Sequence, residues 1–369
     1  MDPYNNLLNR FKQQHIPYIV IWELTHRCNL SCFMCYNVHR PEPELTTNEA
    51  FDVLDQMAKA GVLRLTLTGG EILLRSDFFD IARYARKLDF ALHIKTNGTL
   101  ITPTIADKIA ELHPTSVDVS LLGATPETVH RIMGTKDAFR RIINGVQMLR
   151  QRNVHVQLNT LLMKLNLHER QDIIDLAKSM GASHQLVFKI SPDDMGRDKS
   201  HGQQIGYEEM VALYGEMCAP FERRSGDPSS RTCSVGLHSC LIDPYGTVFP
   251  CVELRIPAGN LRTQSFIDIW QNAAIFQELR ERHTLANLPV CRTCALQPYC
   301  EGRCAGIAWK ETGNLYAPHK LACLQARARK HSLHSKVIGS KTLSDAETSI
   351  FIADEQPEHH AITSEGVQV

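Results

Sequence analysis

The chain has 369 residues, 43% hydrophobic and 22% charged, with 40 basic side chains against 40 acidic ones. That length holds one large domain or two ordinary ones with ample core, so no disulfide staples are needed. Balanced charge and a pI near 7.3 leave no electrostatic footprint for nucleic acid or an anionic membrane. The first twenty residues lack a basic segment leading into an apolar one, and no apolar run approaches the roughly eighteen residues of a membrane span. A cytoplasmic protein is expected.

After a lead-in over residues 1–17, apolar β-branched runs recur at 18–24, 62–68, 91–96, 116–122, 154–162 and 184–190. Helical patterns lie between them at 47–60, 77–88, 103–112, 138–151 and 168–180. Asp77 can cap the second helix, and Pro103 suits the first turn of the third. Strands separated by single helices predict βαβ units and a parallel sheet over 18–190. This is an α/β unit, either an open doubly wound sheet or an incomplete (β/α) barrel. In both, loops at the carboxyl ends of the strands build the site. Residues 191–230, richer in Gly, Pro, Asp and Ser, read as a linker with one helix near 207–218. A loop-rich second unit follows over 231–330, and from 331 to 369 the chain loses periodicity and reads as a mobile tail.

Twelve cysteines are too many for an average protein and too few for a disulfide scaffold of this length. Where thiols stay reduced, such clusters hold metal. Cys28, Cys32 and Cys35 follow the first strand as C-x3-C-x2-C. Three thiolates hold three corners of a cubane and leave the fourth iron open, where chemistry occurs. The alternative is a closed zinc site with His26 or His39 as fourth ligand. Residues 36–217 contain no cysteine, so the others belong to a different unit. Cys218 reads as a buried helix residue. Cys233, Cys240, Cys251, Cys291, Cys294, Cys300, Cys304 and Cys323 then fall close together. Gly69-Gly70-Glu71 follows the second strand, Thr96-Asn97-Gly98 the third, Ser120 ends the fourth and Asn159 lies near the end of the fifth. Polar groups thus gather at one edge of a sheet.

The run Cys28-Asn-Leu-Ser-Cys32-Phe-Met-Cys35-Tyr36, with Thr68-Gly-Gly-Glu71, Thr96-Asn-Gly-Thr99 and Ser120-Leu-Leu-Gly123 in order, resembles the radical S-adenosylmethionine (SAM) enzymes. The resemblance implies a partial (β/α)6 barrel whose cluster binds SAM at the open iron. It also implies one-electron cleavage of SAM to a 5′-deoxyadenosyl radical that abstracts hydrogen from substrate. In those roles Gly69 and Gly70 let backbone approach a ligand, Glu71 offers an anion to the SAM ammonium, and Tyr36 stacks on or hydrogen-bonds adenine. Asn97, Ser120 and Asn159 join the SAM contacts, the last two suiting ribose or carboxylate. The chain departs from the family pattern at Ile72 (usually Pro), at Leu122 (usually acidic) and at Met133 (often Arg), for which Arg131 is the candidate substitute.

Cys233 and Cys251 flank Gly246, and Cys291, Cys294, Cys300 and Cys304 form C-x2-C-x5-C-x3-C ahead of Cys323. This order resembles the SPASM extension, which typically holds two auxiliary [4Fe–4S] clusters, making three in all. The resemblance assigns Cys233, Cys251 and Cys304, with Cys240 as fourth, to one cluster. It assigns Cys291, Cys294, Cys300 and Cys323 to the other. Cys240 is alternatively a buried strand thiol.

Auxiliary clusters suit oxidations, because hydrogen abstraction leaves an electron to be removed. The leading expectation is oxidative modification of a side chain in a ribosomally made peptide or protein, with flavodoxin or ferredoxin as reductant. The lead-in is too short for a separate peptide-binding domain, which keeps oxidation of a haem precursor as the alternative. A non-catalytic electron-transfer protein would explain the thiols but not the Glu71, Asn97 and Ser120 positions. Lys189, Asp193 and Asp194 lie where an acid or base could reach the cavity, or are ordinary loop groups.

Overall fold

The computed structural model describes residues 3–37, 40, 42–217, 227–231, 233–301 and 303–338. Helix α1 (Pro3–Gln13) leads into alternating strands and helices: β1 (Ile19–Glu23), α2 (Thr47–Lys59), β2 (Arg64–Thr68), α3 (Phe78–Lys87), β3 (Ala91–Thr96), α4 (Pro103–Glu111), β4 (Ser116–Ser120), α5 (Pro126–Met133), α6 (Ala138–Gln151), β5 (Val156–Leu161), α7 (Arg170–Ser179) and β6 (Ser183–Val187). Local chemistry sets the helix starts. Thr46 and Glu49 form a reciprocal capping box on α2, and Thr102 caps α4 with Pro103 at its first position. Asp77 precedes α3 but does not cap it; its carboxylate instead takes the Arg75 guanidinium and the Thr47 hydroxyl.

β1 to β6 pair in parallel, consecutively, each neighbour reached through a helix. One face carries Val20, Trp22, Leu65, Leu67, Leu92, Ile94, Val117, Val119, Val156 and Leu158, all buried in one core with residues of the covering helices. Full burial of such a side chain contributes about 1.5–3 kcal/mol. The other face carries Thr66, His93, Lys95, Asp118, Ser120, Gln157 and Asn159, and Lys95, Ser120, Gln157 and Asn159 are only half-buried. A sheet covered on both faces would read as apolar runs; this one leaves a polar face partly open, as in a partial barrel.

The second cysteine unit is not a separate layer. After α8 (Tyr207–Met217), β7 (Ser239–Ile242) pairs in parallel with β1, and β8 (Thr247–Phe249) and β9 (Gly259–Asn260) continue antiparallel. Among the described residues the sheet has nine strands, in the order β6-β5-β4-β3-β2-β1-β7-β8-β9, and it does not close. Beyond it come α9 (Phe266–Asn272), α10 (Ala274–Arg282), α11 (Ala305–Thr312) and α12 (Lys320–Ile338). The helix of the expected linker, α8, packs Met210 and Leu213 against Ala328 of α12. α12 runs to Ile338, so residues 331–338, expected in the aperiodic tail, are helical. Residues 339–369 and Cys218 lie outside the described residues. No described helix is long and apolar enough to cross a membrane.

Candidate functional site

The first three thiols lie in the loop after β1. Burial raises all three, and burial together with the charges of Cys35 and Cys28 takes Cys32 to about 12. Metal ligation needs thiolates, so this set calls for a cationic guest to pay for their charge. Among the described residues, no three His, Cys, Asp or Glu side chains converge on the position of a single ion. His26 is engaged with Glu23 Oε2 at 3.1 Å. His39 lies outside the described residues.

The neighbouring motifs hold this loop in place. Gly70 N–H donates to the Thr25 carbonyl (2.7 Å) and Glu71 N–H to that of Arg27 (2.8 Å). A Cβ on Gly69 or Gly70 would lie 2.3 Å from the same two carbonyl oxygens. Close approach to the thiol loop itself therefore requires the glycines. The Glu71 carboxylate is fully buried and takes the Thr96 hydroxyl (2.8 Å), Asn97 N–H (2.7 Å) and Leu73 N–H (3.1 Å). Burial raises its pKa despite those donors. It joins β2 to β3 rather than standing open to an ammonium. Asn97 donates to Asn29 Oδ1 (2.9 Å) and lies 3.9 Å from Cys28 Sγ, while its own oxygen takes Thr99 N–H and hydroxyl.

At the end of α5, the Met133 and Ile132 carbonyls accept from Ser31 and Phe33 N–H. Gly134 sits at φ +77°, where a Cβ would lie 2.5 Å from Ser31 Oγ. Met133 is buried in the core, and Arg131 is exposed on α5. Ile72 and Leu122, at the two other departures, are buried apolar residues.

Ser120 and Asn159 face each other across β4 and β5. Asn159 donates to Asp118 Oδ2 (2.8 Å), which also takes Lys95 Nζ (2.7 Å), while Asp118 Oδ1 takes His93 Nε2 (2.6 Å) and the Ser116 hydroxyl (3.0 Å). Burial opposes the Asp118 charge, but His93 and Lys95 outweigh it and hold its pKa low. Sequence reading missed this cluster on the open face. The signal was present: A-L-H-I-K-T and S-V-D-V-S alternate apolar and polar with period two.

A buried ion-pair ladder leads from the first thiol loop to the second unit. Arg255 is bidentate to Glu23 (2.7 and 3.0 Å), and its Nε lies 3.2 Å from Asp194. Lys310 is 3.6 Å from Glu253 and 4.0 Å from Asp194, and Lys189 is 3.0 Å from Glu253. Burial alone would raise Glu23, but Arg255 and His26 bring it down to about 2. The Tyr36 hydroxyl donates to Glu23 Oε1 (3.2 Å), and the Arg255 guanidinium lies over its ring at 5.8 Å. Tyr36, Lys189 and Asp194 are thus members of the ladder. Asp193 closes a local turn, accepting from Met195 and Arg197 N–H.

Arg255 and Glu253 follow Cys251 directly. Cys251, Cys233 and Cys304 are near enough for their charges to act on one another, and burial pushes Cys251 to about 12. Cys240 is not with them. It sits on β7 opposite Val20, 1% exposed in the main core, and the charged group acting on it is Arg280. The expected fourth ligand is a core thiol because its strand joins β1. Cys291, Cys294, Cys300 and Cys323 line one cavity with Arg303 and His319.

Residues 22–177 match the radical SAM superfamily, and residues 233–295 match an iron–sulfur cluster-binding domain, SPASM. An AdoMet-dependent heme synthase of Methanosarcina barkeri is 33% identical over 85% of this chain and 98% of its own length. The mycofactocin maturase MftC of Mycobacterium tuberculosis is 28% identical over 82% of each chain. The crystal structure of Streptococcus suis SuiB bound to S-adenosylmethionine superposes with a TM-score of 0.66 at 17% identity, over 87% of this chain and 81% of that one.

Proposed function

The chain belongs to the radical SAM superfamily and carries a C-terminal SPASM domain, and from that premise we propose that it oxidises an organic substrate lying on the open polar face of the sheet. It is an iron–sulfur, SAM-dependent enzyme. Cys28, Cys32 and Cys35 hold the SAM cluster; Cys233, Cys251 and Cys304 hold one auxiliary cluster, and Cys291, Cys294, Cys300 and Cys323 the other. When bound, SAM and the clusters supply hydrogen-atom abstraction and an acceptor for the electron left on the substrate.

This chain's residues do the positioning. Gly70, Glu71, Asn97 and the α5 carbonyls fix the first thiol loop. Lys95, Ser120 and Gln157 are half-buried on the polar face, Lys95 held by Asp118 and Gln157 by Asn159 and Gln185, and they are the groups a substrate there would meet. The single observation that carries the reading is the buried Glu23–Arg255–Asp194 and Glu253–Lys310 ladder, which ties the first thiol loop to the Cys251 loop. Such a tie supports an electron acceptor held close to the radical site.

The substrate class is a haem precursor, supported by the heme synthase relative at 33% identity across nearly its whole length. A peptide side chain is the second reading, favoured by the mycofactocin maturase. The reaction runs in the reducing cytoplasm, with flavodoxin or ferredoxin as electron donor. The test is anaerobic incubation of the reconstituted chain with SAM and reduced flavodoxin, adding a carboxylated iron porphyrin in one arm and a neighbouring gene's precursor peptide in the other. Oxidised porphyrin with matching 5′-deoxyadenosine is the expected result. A modified peptide instead would select the second reading, and no SAM cleavage in any arm would end both.

A further inference from the structure

Arg303 stands between the two C-terminal thiol sets. It immediately precedes Cys304 and lines the cavity walled by Cys291, Cys294, Cys300 and Cys323. Burial opposes its charge, and Cys291, Cys233, Cys304 and Tyr316 lie near enough that negative charge on them would favour it. The residue is 2% exposed. NH2 is used: it reaches His283 Nε2 at 3.0 Å and the Leu315 carbonyl. Nε and NH1 are buried with no hydrogen-bond partner.

A guanidinium stays charged in a protein, and a buried cation with empty donors is costly unless an anion meets it. His283 does not compete as a second cation, since burial and Arg303 itself hold its pKa at about 4. Arg303 shares its cavity with four thiols, Cys291, Cys294, Cys300 and Cys323, and adjoins a fifth, Cys304, in the chain.

We infer that Arg303 is the shared cation of the two auxiliary clusters, its Nε and NH1 donating to their sulfur and its charge raising both reduction potentials. The inference rests on the auxiliary-cluster reading above. Reduction adds negative charge to a cluster, so a fixed positive charge nearby favours the reduced form, and hydrogen bonds to sulfur act in the same direction. Arg303 is a positioning residue in this sense: it acts on the substrate only through the clusters.

The test is a dithionite titration of the full-length holoenzyme followed by electron paramagnetic resonance, with the SAM-sensitive signal assigned to the first cluster. In Arg303→Gln with its iron intact, the reduced-to-oxidised ratio of both auxiliary clusters at fixed potential should fall about tenfold, which is about 59 mV for a one-electron couple. Arg303→Lys, which keeps the charge but not the fork, should fall between. Unchanged potentials, or a shift in one cluster only, would overturn the shared role. If Arg303→Gln fails to assemble, wild-type protein grown with 15N-arginine decides the matter. Pulsed resonance should then detect a nitrogen coupling on each reduced auxiliary cluster that Arg303→Lys lacks, and no such coupling sinks the inference. Wild-type protein whose C-terminal thiols hold no iron would instead defeat the cluster reading itself.

Discussion

Glu71 shows how a motif residue can serve its own chain. Its carboxylate takes three donors inside the protein, from Leu73 beyond β2 and from Thr96 and Asn97 at the end of β3. Glu71→Ala leaves the Thr96 hydroxyl and two backbone N–H groups buried without an acceptor, at about 1–3 kcal/mol each before relaxation. We expect a loss of at least about 3 kcal/mol in a urea titration, with SAM affinity falling only as the thiol loop loosens. A variant of wild-type stability with weakened SAM binding would restore the direct ammonium role. Glu23 offers a second residue-scale test. Its native pKa of about 2 lies below the ordinary 4.5. A depressed carboxylate contributes stability that is present above the unfolded pKa and is lost as pH falls toward the folded one. The stability gap between wild type and Glu23→Gln should therefore narrow as pH drops below 4.5, by up to about 3 kcal/mol. A gap independent of pH between 6 and 3 would show that Glu23 is not held ionised by Arg255.

At the scale of elements, the ends of β2, β3 and α5 converge on one loop. Two of them bring backbone close enough that a glycine is required, β2 at Gly70 against Arg27 and α5 at Gly134 against Ser31. A methyl group on Gly70 forces the strand end and the thiol loop apart. Gly70→Ala should lower the iron of the reconstituted protein from about twelve atoms per chain to about eight, because three cubanes hold four each and only the first is disturbed. Retention of all the iron would mean that the loop can shift without losing its ligands. Asp193, Asp194 and Lys189, which resembled free acids and bases, are occupied by Arg197, Arg255 and Glu253. The loop after β6 packs on α11, where Lys310 also reaches the Pro192 carbonyl at 3.1 Å.

The whole molecule is organised by one continuous sheet. β7 extends the barrel strands past β1, and this carries Cys240 into the core opposite Val20. Cys240→Val, close in volume and apolar, should keep all the iron and change stability by less than about 1.5 kcal/mol. Cys304→Ala should lose the iron of its set. Iron analysis and Mössbauer spectra of the two variants decide between them, and iron loss in Cys240→Val would return Cys240 to the ligands.

Three thiols within eight residues cannot be far apart, so Cys28, Cys32 and Cys35 are legible from spacing, as are Cys291, Cys294 and Cys300. The βα alternation is equally local, since it depends on hydrophobic period and helix caps, and it carries the parallel sheet with it. What a polar motif faces is another matter. Whether Glu71 meets a ligand or Thr96 depends on how two strand ends cross, and whether Cys240 meets a cluster or Val20 depends on which edge β7 joins. Arg303 and Asp118 belong to the same class. Their neighbours come from segments remote in sequence, and burial, which makes a lone charge costly and a paired one fixed, acts only once those segments have packed.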